Sequence, residues 1–394
     1  MNRRKFVQLA SAAPLLPAFL RLSSCDSPEG NQRTPGGRKL VVIQLGGGND
    51  GLNTVIPYAH DPYYQLRPTV GISAKEVLPL DKNLGLGLNP AFAPLLDLFD
   101  RGEMSIVNQV GYPNPDRSHF RSMDIWHTAS GSERYWQTGW LGRYLDAECA
   151  DKSNHHALEI GTELSLANRG IERNAFVLDS NNSLPEIVRP DMQPTALVDN
   201  SDLDFLYKTI AQTEESVDYL RSQVREAKVG TEYPRGAFGH DLRKVAELMI
   251  ARSDTQIYYV SMSGYDTHSG QINRQRRLLD QYAQGVRAFT NDLKREGLFD
   301  ETVILTFSEF GRRVGENAAG GTDHGTANNV YLMGGNLAKA GFYNGAPDLQ
   351  NLSQGDLIHE VDFRSVYTEV IQNVFQGDAA NILDGKFDSL GILA

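Results

Sequence analysis

Four short apolar runs rich in β-branched residues constrain this chain most: Lys39 to Leu45, Gln256 to Met262, Thr302 to Phe307 and Asn329 to Met333. Runs of this length, bounded by glycine, read as strands buried on both faces of a sheet. Between the second and third, Leu279, Tyr282, Val286, Phe289 and Leu293 recur at three- and four-residue spacing and Gly297 closes the pattern, which predicts an amphipathic helix. Strand, helix, strand at that spacing is a right-handed crossover unit of a parallel sheet. Every run ends in a loop rich in Gly, Asp, His or Glu. Ligands bind beyond the carboxyl ends of the strands in open α/β sheets, so the four loops are expected to converge. The stretch from about 150 to 240 is polar, lacks comparable strands and reads as an elaboration, with an amphipathic helix expected from Phe205 to Lys228.

The 394 residues are 40% hydrophobic and 22% charged, near the globular average, which excludes disordered, collagen-like and coiled-coil chains. A net charge of −11 without blocks of like charge leaves no footprint for phosphate backbones, so nucleic acid is not an expected partner. Two cysteines cannot form a disulfide framework.

Residues 1–25 differ from the rest: Arg3, Arg4, Lys5 and Arg21 flank the apolar stretch Phe6 to Leu20, which Pro14 and Pro17 interrupt. That is too short to span the hydrocarbon, which takes about 20 apolar residues, and is built like an export signal. Asn2-Arg3-Arg4-Lys5-Phe6-Val7-Gln8 resembles the twin-arginine consensus, with an ordinary secretory signal as the alternative. The twin-arginine export machinery would then be a partner and the periplasm or cell envelope the location. Leu22-Ser23-Ser24-Cys25 resembles a lipobox, which would lipidate Cys25 and leave Cys149 single. Residues 26–37 read as a flexible tether, and residues 38–394 as the folded body.

Gly46-Gly47-Gly48-Asn49-Asp50-Gly51 fits G-x-G-x-x-G, but no helix pattern follows and Arg67 to Ser73 offers no acid for a ribose. The glycines instead let the backbone bend so that Asp50 projects as an oxygen ligand for a hard cation, with an Asx-turn as the plain alternative. Asp266 and His268, two residues apart after the second run, suit one metal such as zinc, and Asp323-His324 offers the same pair. Glu309 is the first acid after the third run, and Arg312 and Arg313 are candidate clamps for an anion. Singly, each is compatible with a turn or cap. His119 and His127, eight apart, are candidates for one helix face near the site or for structural polar contacts. Trp126, Tyr135, Trp136 and Trp140 read as core, or as a sugar-stacking wall. No G-x-S-x-G and no H-E-x-x-H occurs, against an α/β-hydrolase esterase and that metalloprotease class.

The motifs Gly-Gly-Asn-Asp-Gly-Leu-Asn-Thr, Tyr-Asp-Thr-His, Ser-Glu-Phe-Gly-Arg and Gly-Thr-Asp-His-Gly together resemble an uncharacterised bacterial family of twin-arginine-exported proteins, DUF1501-like. That family is placed in the alkaline phosphatase/sulfatase superfamily. The resemblance covers residues 38–394. It implies an alkaline phosphatase-like fold, a three-layer α/β/α sandwich with a mostly parallel sheet. It also implies a metal-dependent hydrolase of phosphate or sulfate esters, acting on a small-molecule or glycan ester. By resemblance the metal ligands are Asp50, Asp266, His268, Glu309 and His324, with Asp323 as an added ligand or a brace for His324. The cation would be divalent: zinc first, manganese or calcium as alternatives. A nucleophile is implied between the first two metal motifs, where Ser118 stands near an expected helix start, a plain N-cap being the alternative.

The chain departs from the superfamily at two points. Glu309-Phe310 stands where phosphatases carry Asp-His, and no sulfatase formylglycine context is present. The alternative reading is therefore a catalytically inactive surface protein of the same fold that binds a glycan or protein partner.

Overall fold

The computed structural model describes residues 37–179, 215–223 and 227–394. The leader with Cys25, the tether up to residue 36 and most of the expected Phe205–Lys228 helix lie outside the described residues; 215–223 are helical.

Among the described residues, nine strands build the main sheet: β1 (Lys39–Gly46), β2 (Met104–Gly111), β3 (Ala157–Ile160), β4 (Phe176–Leu178), β5 (Ile257–Ser263), β6 (Thr302–Phe307), β7 (Asn328–Met333), β8 (Gly341–Phe342) and β9 (Val361–Asp362). Their order is β8-β2-β7-β6-β1-β5-β3-β4, and β9 also pairs β2. β1 runs parallel to β5 on one side, Leu40 beside Ile257, and to β6 on the other, Lys39 beside Thr302. Only β7 is reversed, antiparallel to both β6 and β2.

Alternation along these strands makes two cores. Val41, Ile43 and Leu45 of β1 face the same side as Tyr258, Val260 and Met262 of β5, while Leu40, Val42, Ile257 and Tyr259 face the other. The first side is covered by α3 (Ala237–Ile250) and α4 (Gln271–Arg295), the second by α1 (His119–Thr128), α2 (Trp140–Glu148) and α5 (Phe363–Val370). The fold is thus the three-layer α/β/α sandwich with a mostly parallel sheet. α4 buries Leu279, Tyr282, Val286, Phe289 and Leu293, the expected stripe. Gly297, at φ +66°, adopts the left-handed conformation that ends it.

Two expectations are corrected. The stretch 150–240 is not free of sheet: β3 and β4 lie in it and extend the parallel edge beyond β5. With only four and three residues, they carry too little pattern to stand out. The fourth apolar run is a strand, but an inverted one, so the loop following it leaves from the opposite edge of the sheet. What reaches the functional edge is the segment before β7.

Candidate metal centre

Three loops after parallel strands, the segment before β7 and the start of α1 meet at one sheet edge. Close approach of the loops requires glycine. At Gly47 (φ +114°) a Cβ would stand 2.5 Å from the Asp266 backbone nitrogen, and at Gly48 (φ +68°) 2.2 Å from the Phe310 ring.

The geometry centres on Asp266 Oδ1. His268 Nε2 lies 3.0 Å from it, His324 Nε2 3.3 Å and His119 Nε2 3.6 Å. His268 Nε2 and His324 Nε2 are themselves 2.9 Å apart. Each imidazole is oriented by its other nitrogen. His324 Nδ1 donates to the Arg117 carbonyl (2.8 Å), His119 Nδ1 to Glu309 Oε1 (2.8 Å) and His268 Nδ1 to Asp323 Oδ1 (3.2 Å). Because carbonyl and carboxylate oxygens only accept, each Nδ1 carries a proton, and the three Nε2 atoms are left to face the Asp266 carboxylate, where a cation would use them as ligands. His119 Nε2, though buried, has no hydrogen-bond partner among the described residues.

Three Nε2 atoms gathered around one carboxylate oxygen, to which Arg312 also donates at 2.7 Å, offer nitrogen and oxygen ligands to a cation. Ligands ~2.1 Å from a tetrahedral zinc ion stand ~3.4 Å apart, close to the observed spacing. Imidazoles tied back to a carboxylate or a carbonyl are the usual outer support of metal-binding histidines. The donor set therefore fits a divalent metal. Ligand atoms of His119, Asp266 and His324 all lie within 4.8 Å of one another.

Electrostatics favour the ligand form of Asp266 and His324 but the charged form of His119. Burial opposes the Asp266 carboxylate, but Arg312, by hydrogen bond and charge, together with His268 and His324 holds its pKa down at about 2. Burial lowers the pKa of His324 and so favours its neutral form. The Glu309 hydrogen bond raises that of His119. Asp323 is lowered, first by its hydrogen bond from Asn317.

The other sequence-expected residues fall into place around this cluster. Glu309 is buried, takes the Gly47 N–H at 2.8 Å and holds His119. Asp323 is exposed and braces His268. Arg312 is buried and turned inward: it donates to the carbonyls of Gly47, Gly48, Tyr265 and Thr322 and to Asp266 Oδ1 (2.7 Å). Arg313 donates to the Gln354 carbonyl and lies 3.5 Å from Asp356. Ser118 is the exposed residue before α1, with its N–H on Asp116 and no capping bond from its side chain. Asp50 is not grouped with the histidines; it is buried in an ion pair with Arg67 (2.7 Å). His127 lies buried against Gln44 (2.8 Å). Trp126 and Trp140 are core, while Tyr135 is exposed and Trp136 half-buried, with the guanidinium groups of Arg121 and Arg143 over their rings.

Sequence reasoning undervalues His119 and overlooks Arg67. A lone histidine has no spacing signature, and its one signal is its place beside Ser118 at a helix start. Phe310 packs on the rings of His119 and His324, at 4.8 and 4.9 Å between centroids. It also borders a cavity of about 460 Å³ lined by Tyr112, Asn114, Arg117, Gln354 and His359.

Solved structures similar to this chain include the lipoteichoic acid synthase LtaP from Listeria monocytogenes, at TM-score 0.42 and 10% identity, covering 91% of this chain and 76% of that one. PsFucS1 sulfatase from Pseudoalteromonas sp. gives 0.41 and 11%, covering 91% and 72%. A protein in the alkaline phosphatase superfamily from Vibrio parahaemolyticus gives 0.36 and 14%, covering 76% and 60%. No curated protein sequence matches the chain. Residues 104–368 match the family model described as "Protein of unknown function (DUF1501)". That span is well over half of the sequence, and the chain belongs to the DUF1501 family.

Proposed function

We propose that this protein is an exported, metal-dependent hydrolase of phosphate or sulfate esters. The observation that carries the reading is the convergence of three separately oriented imidazoles on one carboxylate oxygen. His119, Asp266 and His324 would hold the cation, with His268 beside them. A nitrogen-rich set of this kind favours zinc over calcium. When bound, the metal supplies charge neutralisation for the transferred group and acidifies a hydroxyl or water. Ser118, exposed next to His119, is the candidate nucleophile. Arg312 positions Asp266 and the loop after β1. The cavity beside Phe310 would take the alcohol part of a small-molecule or glycan ester. Export rests on the leader, and Cys25 would anchor the chain by lipid; among the described residues no helix is long and apolar enough to cross a membrane.

The test is a screen of phosphate monoesters, diesters and sulfate esters on chelator-stripped protein with zinc, manganese or calcium restored. Asp266→Ala and His324→Ala should each reduce turnover roughly 100-fold or more and release the metal, with circular dichroism unchanged. Full activity in both variants, or metal below a tenth of an equivalent in the wild type, would end this reading. One observation favours a second reading, the catalytically silent binder of a glycan or protein: Arg312 directs its donors to protein acceptors, which leaves it no fork for an anion. Saccharide binding without any turnover across the screen would select it.

A further inference from the structure

The resemblance implies Asp50 as a metal ligand, and its surroundings oppose this. The Asp50 carboxylate is buried and fully used. Oδ2 accepts from Arg67 Nη1 at 2.7 Å and from Gln271 Nε2, with the Thr322 hydroxyl at 3.4 Å; Oδ1 accepts the Asn53 N–H at 3.2 Å. The Arg67 side chain is 0% exposed, and its other donors are equally committed. Nη1 also donates to Asn53 Oδ1 (2.8 Å), Nε to the Val314 carbonyl (2.8 Å) and Nη2 to the Arg313 carbonyl (2.8 Å). The face of Tyr63 lies 5.8 Å beneath the guanidinium.

Any divalent ion on Asp50 Oδ2 would sit ~2.0–2.6 Å from that oxygen. It would then crowd a permanently charged guanidinium bound to the same atom, out of reach of solvent screening. Asp266 Oδ1 also takes a buried arginine, Arg312, but the Asp266 side chain is 46% exposed. That of Asp50 is 1% exposed with both oxygens engaged inside the protein, so only at Asp50 does the guanidinium leave a metal no room. Arg67 also does what a second metal would do structurally. It joins the loop after β1, through Asp50 and Asn53, to the chain following the Glu309–Arg312 loop, through two carbonyls.

We propose that Arg67 is a built-in cation that takes the place of a second metal ion on Asp50, so that the centre holds one exchangeable metal rather than two. This rests on the hydrolase reading only for the identity of the first site. A guanidinium does not dissociate or respond to chelators, so the Asp50 side of the site stays assembled whether or not metal is present. The class of chemistry narrows accordingly, to hydrolysis assisted by a single metal in place of a two-metal clamp.

The experiment is zinc binding to the chelator-stripped chain, followed by elemental analysis and calorimetric titration. The wild type is expected to hold one equivalent. Arg67→Met should hold one equivalent more than the wild type, and Asp50→Asn/Arg67→Met should lose that gain. Asp50→Asn alone should leave zinc affinity within about threefold, as for independent sites, whereas Asp266→Asn should weaken it tenfold or more, as expected for a ligand. Two equivalents in the wild type, no gain in a folded Arg67→Met protein, or a loss in Asp50→Asn equal to that in Asp266→Asn would each overturn the proposal. If Arg67→Met does not fold, the Asp50→Asn comparison decides. If the wild type binds no zinc but Arg67→Met binds one equivalent, the hydrolase reading fails and the built-in cation stands.

Discussion

At the scale of single residues, the site depends on which nitrogen of each histidine carries the proton. Glu309 fixes this for His119: it is buried and holds Nδ1–H, which turns Nε2 toward Asp266. Glu309→Gln keeps the shape but removes the charge that raises the His119 pKa. Zinc affinity should then fall roughly 10- to 100-fold, the usual cost of losing a carboxylate behind a metal-binding imidazole. Competition with a chromogenic chelator measures it, and an unchanged affinity would place His119 outside the ligand set. The residues around this point differ in how readable they are. Asp266-Thr267-His268 and Asp323-His324 are visible as close pairs after or before apolar runs, and the structure brings His268 and His324 to 2.9 Å. His119 has no such neighbour. Arg67 lies in a stretch with no motif at all, and its role depends on carbonyls some 247 positions away.

At the scale of elements, α1 carries two histidines of opposite character. His119 opens it at the site, while His127 ends it in the second core, where Gln44 and Tyr259 meet its Nε2. Burial lowers the His127 pKa from 6.5 to about 4. The folded protein thus keeps this ring neutral over a window in which the unfolded chain takes up a proton. Stability is intact above pH 6.5 and is lost as the pH falls toward 4, by up to about 3 kcal/mol. Urea unfolding of the wild type and His127→Gln at a series of pH values should show a shallower acid slope in the variant. Parallel slopes would assign the acid lability to other groups. Element legibility follows composition. β1, β5, β6 and β7 are continuous apolar runs, whereas β2 places Ser105, Asn108 and Gln109 in a buried strand. The partners of Asn108 and Gln109 come from afar: the side chain of Asn344 accepts the Asn108 N–H and donates to its carbonyl, and Gln109 Nε2 donates to the Ile358 carbonyl, while Ser105 Oγ has no partner among the described residues. A strand whose polar groups are satisfied only by tertiary contacts has no local signature.

At the scale of the whole molecule, the two cores are separate apolar layers divided by the sheet, and each is held by stacked aromatic rings. Trp126 lies between Phe307 at 4.9 Å and Phe363 at 4.4 Å on one side; Phe92 and Tyr282 stack at 5.6 Å on the other. Trp126→Ala and Phe289→Ala, one per layer, should each cost about 3–5 kcal/mol in denaturant unfolding, since both side chains are buried and the cavity cannot close fully. A loss below about 1 kcal/mol in either would mean that the layer relaxes around the gap. The layered architecture and its binding edge are readable from four runs and one helix. The inversion of β7 is not, because hydrophobic pattern carries no sense of direction.

That inversion has a further consequence. His324 precedes its strand, and its imidazole is tied to the Arg117 carbonyl, 207 positions earlier in the chain. The candidate metal cluster therefore closes a loop between the beginning of α1 and the entrance to β7 and is completed only once both are in register. A bound ion would act as a clasp across the sheet, resisting the peeling of its one backward strand.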